Sequence, residues 1–266
     1  MIVNLKDTFN NVVTMYDAAR PTYPLELLND IKDFAEKSFF TRGLEIGAGT
    51  GQATDLFIKV INDLDIVEVG DKQVDYLMEK YKSENVNTYK AYFEDFKSNK
   101  KYDLIFSATA FHWVDATVGY PKVWDMLNDS GVLAVFWHMS SVTLHDTGIF
   151  VGLNEIKKKY LPEESLGFDK EGIEGVRQKR ISQIQSGNYF GIPVIKEYRW
   201  IDTYDADRYS LLLESYSSTQ TLDEEHKKLY LSEVRDYINS NGGVVEMPQH
   251  VMLLSLIHIS EPTRRS

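Results

Sequence analysis

The chain has no cysteine in its 266 residues. Disulfides, thiolate-held metals and any cysteine nucleophile are therefore excluded. A long uninterrupted apolar run is missing, as is an Arg-rich amphipathic leader, so neither a membrane span nor a targeting peptide is expected and cytoplasm is the default compartment. Positive charge is scarce: the formal net charge is −11, which repels a polyanion and disfavours nucleic acid as a partner. The one basic cluster, Arg177, Lys179 and Arg180, has Glu171 and Glu174 close by and reads as a solvated helix face. Six histidines form neither an HExxH pattern nor a close ligand pair, so no metal site is expected. A small-molecule substrate fits these exclusions, and oligomeric state leaves no signature.

The remainder has an ordinary globular composition, 43% hydrophobic and 26% charged, enough to bury a core. Short apolar strands are expected at 42–46, 64–69, 86–91, 102–107 and 131–137, with helices near 51–62, 71–82 and 116–128 between them. Asn128 to Gly131 reads as a turn opening the fifth strand. This alternation argues for an α/β fold whose parallel sheet is covered on both faces. Helices are expected ahead of it at 8–18 and 24–37, separated by Pro21 and Pro24. Beyond Trp137 the rhythm changes to a charged helical stretch over 145–190, then a strand at 194–202, helices at 205–216 and 223–240, and a strand at 244–254. The run from Ser255 to Ser266 breaks the pattern, resembles a translated sequencing-adapter fragment and is expected to be a non-native tail.

The segment most specific for chemistry is Leu44-Glu45-Ile46-Gly47-Ala48-Gly49-Thr50-Gly51-Gln52-Ala53-Thr54, directly after the first strand. Glycine at every second position lets the chain turn sharply and keeps side chains away from a close ligand. A helix beginning near Gly51 is expected to aim its amides at that ligand. Glu45 sits at the carboxyl end of its strand, where α/β sheets bind ligands. A dinucleotide fingerprint needs a third glycine where Gln52 stands. Glu68 ends the second strand, 21 residues after Gly47, and an acid there can accept both ribose hydroxyls.

Further segments carry a family resemblance. Phe93-Glu94-Asp95-Phe96 follows the third strand, and the fourth continues as Tyr102-Asp103-Leu104-Ile105-Phe106-Ser107-Ala108-Thr109-Ala110-Phe111-His112-Trp113-Val114-Asp115. With the glycine loop and the entry run from Phe9 to Pro24, these resemble class I S-adenosylmethionine-dependent methyltransferases, of the group related to trans-aconitate and ubiquinone-biosynthesis-type enzymes, over roughly residues 8–137.

The resemblance implies a Rossmann-like three-layer sandwich with a seven-stranded, mostly parallel sheet whose last strand is antiparallel. It implies one domain over 1–254: lid helices to residue 40, a cofactor-binding core over 41–137, a helical insertion over 138–192 and sheet completion over 193–254. S-adenosyl-L-methionine is the implied cofactor. Glu45, Gly47, Ala48, Gly49, Gly51 and Ala108 are its implied neighbours, with Glu68 on the ribose, Glu94 and the Phe93 backbone on the adenine (Asp95 as substitute), and Tyr16 and Arg20 in the lid with Tyr23.

His112 is the candidate base, and Trp113, Trp137, His138 and Tyr216 are candidates for the acceptor pocket. The missing thiol closes cytosine-5 methylation. Ser107-Ala108-Thr109-Ala110 stands where amino-methylating enzymes carry an Asn/Asp-Pro-Pro-aromatic run, which favours an oxygen acceptor, such as a carboxylate, or a carbon one. The alternatives are an NAD-dependent oxidoreductase, against which Gln52 counts, and an S-adenosylmethionine-binding module without turnover.

Overall fold

The computed structural model describes residues 19–139, 148–161, 172–187 and 189–257. The helix expected at 8–18, and Tyr16 with it, lies outside the described residues. By its internal contacts the chain divides into two compact units. One comprises 22–138, 177–198 and the chain from 251 onward; the other comprises 1–21, 139–176 and 199–250.

The first unit opens with α1, Leu25–Phe34, which turns Leu27, Leu28 and Ile31 inward at helical spacing. Five strands follow: β1 Phe40–Ile46, β2 Ile61–Glu68, β3 Val86–Lys90, β4 Tyr102–Ala108 and β5 Leu127–His138. Each pairs in parallel with its neighbour, β1 taking β2 and β4 on its two sides. Central strands rather than alternating ones explain the apolar runs: Leu104, Ile105 and Phe106 are all fully buried because helices cover both faces. The connecting helices include α2 Thr54–Phe57, α3 Asp71–Lys80 and α4 Ala116–Met126. The strand order β3-β2-β1-β4-β5-β7-β6, with β7 (Val244–Ile257) antiparallel to β5, is that of a seven-stranded Rossmann-like sheet. The order in which successive strands join the sheet reverses between β1 and β4, so the crevice at their carboxyl ends is the place where such a fold binds ligands.

Three boundaries depart from expectation. The helix foreseen over 51–62 shrinks to the four residues of α2, because Ile61 goes into the sheet, where it pairs with Phe40 and starts β2 early, and Val60 O just ahead of it accepts from Phe40 N at 2.8 Å. Anion capture by a long helix end at Gly51 is therefore not what this loop offers. At the fifth strand the turn of Asn128–Gly131 is an irregularity inside β5: Tyr102 faces Leu127, yet Leu104 already faces Val132. The last strand runs past Leu254, with Ser255, Leu256 and Ile257 opposite Ala134, Leu133 and Val132.

The second unit holds α5 Ile149–Tyr160, the start of α6 (Gly172–Gln185), the later part of β6 (Val194–Asp205), α7 Ala206–Glu214, α8 Ser217–Gln220, α9 Glu224–Ser240 and the first residues of β7. Its core joins Phe150, Leu153 and Ile156 of α5 to Leu212 of α7 and to Tyr230 and Val234 of α9. Of residues 138–192, Ile149–Tyr160 and Gly172–Gln185 are helical. No helix among the described residues is long and apolar enough to cross a membrane, and no group of three metal-ligating side chains occurs among them.

Candidate active site

Gly47, Gly49 and Gly51 all take positive φ, at 72°, 60° and 93°, a region that L side chains enter only with strain. Their surroundings differ. A Cβ on Gly47 would lie 2.5 Å from that of Ala110, so the turn after β4 touches the loop directly. A Cβ on Gly51 would lie 2.3 Å from the Tyr81 hydroxyl. A Cβ on Gly49 would meet only Gln52 Oε1, at 4.0 Å, so this residue faces open space that a ligand can enter.

Side chains hold the loop from two directions. Glu68 Oε2 accepts from Gly49 N at 2.9 Å, while its Oε1 accepts from Val69 N and Gly70 N at 2.8 and 2.9 Å. Three amides thus occupy a carboxylate with roughly four lone-pair directions; the bidentate grip on two ribose hydroxyls narrows to about one remaining position. Opposite, Lys80 Nζ donates to Thr50 O at 3.1 Å and to Asp55 Oδ2 at 2.8 Å. The Tyr81 hydroxyl shares its one proton between Asp55 Oδ1, at 2.7 Å, and Gly51 O, at 3.1 Å.

Beneath the loop Glu45 is fully buried. Its Oε2 accepts from Thr54 Oγ1 at 2.5 Å, and its Oε1 has no hydrogen-bond partner among the described residues. Burial pushes this carboxyl up to about 8 against the Thr54 hydrogen bond, and the negative Glu68 and Asp55 add to the shift.

Across the crevice, Ser107 Oγ donates to Ile46 O at 2.7 Å and joins β4 to β1. Thr109 then adopts φ 53°, unusual for a β-branched residue and of a kind that clusters at functional sites. It is held there by its own amide on Phe136 O at 2.7 Å, by Tyr23 OH at 3.1 Å and by His138 N at 3.2 Å on its hydroxyl. The next residues form a short 3₁₀ turn, Phe111–Trp113.

In that turn His112 Nδ1 accepts from Trp137 Nε1 at 3.2 Å. An indole nitrogen only donates, so the neutral imidazole carries its proton on Nε2. Burial, then the positive charge of Arg180, lowers the His112 pKa to about 4. The Arg180 guanidinium lies 5.5 Å from the centre of the Trp137 ring. The basic cluster is therefore not a uniformly solvated face: Arg177 pairs with Glu197 at 2.8 Å and Arg180 stacks inward, while Lys179 is exposed.

The structure brings Glu45, Gly47, Ala48, Gly49, Gly51, Glu68, Ala108, His112, Trp137 and His138 to the carboxyl ends of β1, β2, β4 and β5. Phe93 is buried against Phe111, leaving its backbone as the usable group, and Glu94 Oε1 accepts from Asp115 N at 3.0 Å at the start of α4. Asp95 is exposed, and Trp113 is 82% exposed. Arg20 and Tyr216 belong to the other unit, where Arg20 Nη2 donates to Ser215 O at 3.0 Å and Tyr216 precedes α8. Thr54, Lys80, Tyr81 and Thr109 were not foreseen as site residues, because their partners lie elsewhere in the chain. Arg180 was visible only as a charge in a helical pattern.

The glycine loop, the acid at the end of β2 and the switch in strand order beside β1 and β4 stand together at the carboxyl edge of the sheet. Residues 44–135 match the family described as a methyltransferase domain. An uncharacterized methyltransferase-like protein of Schizosaccharomyces pombe is 29% identical over 146 residues, 53% of this chain and 55% of its own. A Saccharomyces cerevisiae protein named as a probable S-adenosylmethionine-dependent methyltransferase is 29% identical over 131 residues, 46% of this chain and 43% of its own. The chain thus spans about half the length of the curated relatives it matches. Among solved structures, the YcgJ protein of Bacillus subtilis is similar with a TM-score of 0.52 at 18% identity, over 88% of this chain and 98% of that one. A phosphoethanolamine N-methyltransferase of Haemonchus contortus, solved with S-adenosylhomocysteine, reaches 0.52 at 12% identity, over 94% of this chain and 57% of its own. At these identities the structural likeness is one of fold.

Proposed function

We propose that this protein transfers a methyl group from S-adenosyl-L-methionine to a small anionic acceptor, at a carboxylate oxygen. The observation that carries the reading is the loop itself: three positive-φ glycines, clamped by Glu68 and open only at Gly49. The residues present suit the cofactor on two further counts: Glu45 keeps an unpartnered buried carboxylate oxygen below the loop, and Glu68 retains an acceptor position for a ribose hydroxyl. When bound, the cofactor supplies a methyl already activated by a sulfonium leaving group.

The chain's own task is orientation and exclusion of water. Gly47, Ala48, Gly49 and Gly51 offer backbone to the ligand, and the Phe93 backbone and Glu94 border the adenine end. His112, with Nδ1 engaged, presents an Nε2–H donor rather than a free base. That arrangement suits a carboxylate, which at neutral pH has no proton to lose. Arg180 adds positive charge on the same side and Trp137 a wall, with His138 next to it. Trp113 completes the proposed acceptor residues. The −11 net charge and the lack of a basic stripe support a small-molecule acceptor over nucleic acid.

The reading is tested with methyl-labelled S-adenosylmethionine and a small-molecule extract split by anion exchange. Labelled products are expected in the anionic-acceptor fraction as methyl esters that release methanol in mild base. Label confined to base-stable amines would refute the carboxylate assignment, and no transfer at all would leave a binding module.

A further inference from the structure

The glycine loop needs more than glycine. Residues free to adopt positive φ are also free to leave it, and glycine loses more conformational freedom on ordering than any other residue. Something must therefore fix the direction of each peptide plane between Gly49 and Gln52. Glu68 fixes one, through Gly49 N. The planes that follow are held from the other side by the C-terminal end of α3.

We propose that Lys80 and Tyr81 are positioning residues for the cofactor, holding the Thr50 and Gly51 carbonyls toward α3 beside the backbone bonds Gly51 N–Ala48 O and Asp55 N–Gly51 O, so that the loop keeps the shape that leaves Gly49 open to a ligand. In a trans peptide the C=O of one residue and the N–H of the next point in opposite directions. Pinning Thr50 O on Lys80 Nζ thus reinforces the direction of the Gly51 amide, which donates to Ala48 O at 2.9 Å, and placing Gly51 O, which also accepts from Asp55 N at 3.0 Å, against Tyr81 reinforces that of Gln52. Both side chains are themselves anchored on the two oxygens of Asp55, one turn further on. Lys80 also lies over the Tyr76 and Tyr81 rings, 5.7 and 5.3 Å from their centres, which restricts its long stem. The 2.3 Å from the Tyr81 hydroxyl to a Cβ built on Gly51 shows how closely the brace is fitted: glycine is needed there for α3 as much as for any ligand.

This inference deepens the reading above and rests on it, so its test has one arm that needs no ligand. Tyr81→Phe removes only the hydroxyl, and Lys80→Met only the ammonium; Lys82→Met, at an exposed ion pair with Glu79, is the control. Calorimetric titration with S-adenosylhomocysteine is expected to show about fivefold weaker binding for each brace variant and ~25-fold for the double variant, the size of one and two lost hydrogen bonds. Hydrogen exchange of the ligand-free proteins is expected to quicken at residues 47–53 alone, with the unfolding midpoint little changed. The Lys82 variant matches wild type in both arms. Unchanged affinity with unchanged loop exchange overturns the proposal. So does faster exchange throughout the unit with a matching fall in midpoint, which would make the two residues purely structural. Wild-type protein that fails to bind S-adenosylhomocysteine would strike the methyltransferase reading instead, while the exchange arm still decides the brace.

Discussion

Replacing Glu45 with glutamine reverses an ordinary expectation about buried polar residues. Wild-type Glu45 is sealed beneath the loop, with one oxygen on Thr54 and the other without a partner. Its carboxyl is raised from the usual 4.5 to about 8, burial first and the neighbouring Glu68 and Asp55 charges next. The folded protein therefore keeps a proton that the unfolded chain releases above its ordinary pKa. Stability attributable to this group is complete below about pH 4.5 and declines as pH rises toward 8. At 1.36 kcal/mol per pH unit, the decline from pH 5 to pH 7.5 is about 3 kcal/mol. Glu45→Gln keeps an acceptor for the Thr54 hydroxyl and never ionises, so it removes the slope. Urea unfolding at half-unit pH steps, taken as the difference between wild type and variant, isolates this group from every other that titrates. The variant should gain on wild type steadily across that window. Parallel stability profiles from pH 5 to 8 would show that Glu45 ionises in the folded state without penalty and refute the reasoning.

Glu68→Ala releases Gly49 N together with the Val69 and Gly70 amides, so S-adenosylhomocysteine binding should weaken by about 2–3 kcal/mol, beyond the loss of a single ligand contact; a calorimetric change under twofold would remove Glu68 from the site. Gly49→Val places a branched side chain in the open space beside the loop at φ 60°, and binding should vanish while the circular dichroism of the sheet persists; retained affinity would contradict this. His112, lowered to about 4 from 6.5 by burial and by Arg180, contributes stability above its ordinary pKa that is lost as pH falls through that range. The difference between wild type and His112→Gln should therefore shrink from pH 6.5 to 4, and a constant difference in urea midpoint would count against the buried neutral ring. Arg180→Met should raise the KM for an anionic acceptor at least tenfold with little effect on cofactor affinity; equal effects on both would place Arg180 outside the acceptor site.

The parallel core was legible because buried central strands are continuous apolar runs and the glycine spacing is local: Leu104 to Phe106 and Gly47 to Gly51 each stand within a few residues. Glu68 was legible from its distance to the loop, but its use of three backbone amides was not, since that depends on how β2 ends beside β1. The short α2 was misjudged because Val60 and Ile61 suit a helix by periodicity and a strand by pairing, and only Phe40 opposite decides between them. The brace at Lys80 and Tyr81 and the Arg180–Trp137–His112 cluster were illegible. Each joins residues 25 or more positions apart through side-chain direction, which periodicity does not encode.

Calorimetric titration of the wild-type chain with S-adenosylhomocysteine, alongside NAD, bears most directly on the role of the glycine loop. A saturable one-to-one isotherm with S-adenosylhomocysteine, none with NAD, and loss of the first in Gly49→Val is the expected result. A flat titration with S-adenosylhomocysteine, or saturable NAD binding at the same loop, would contradict it.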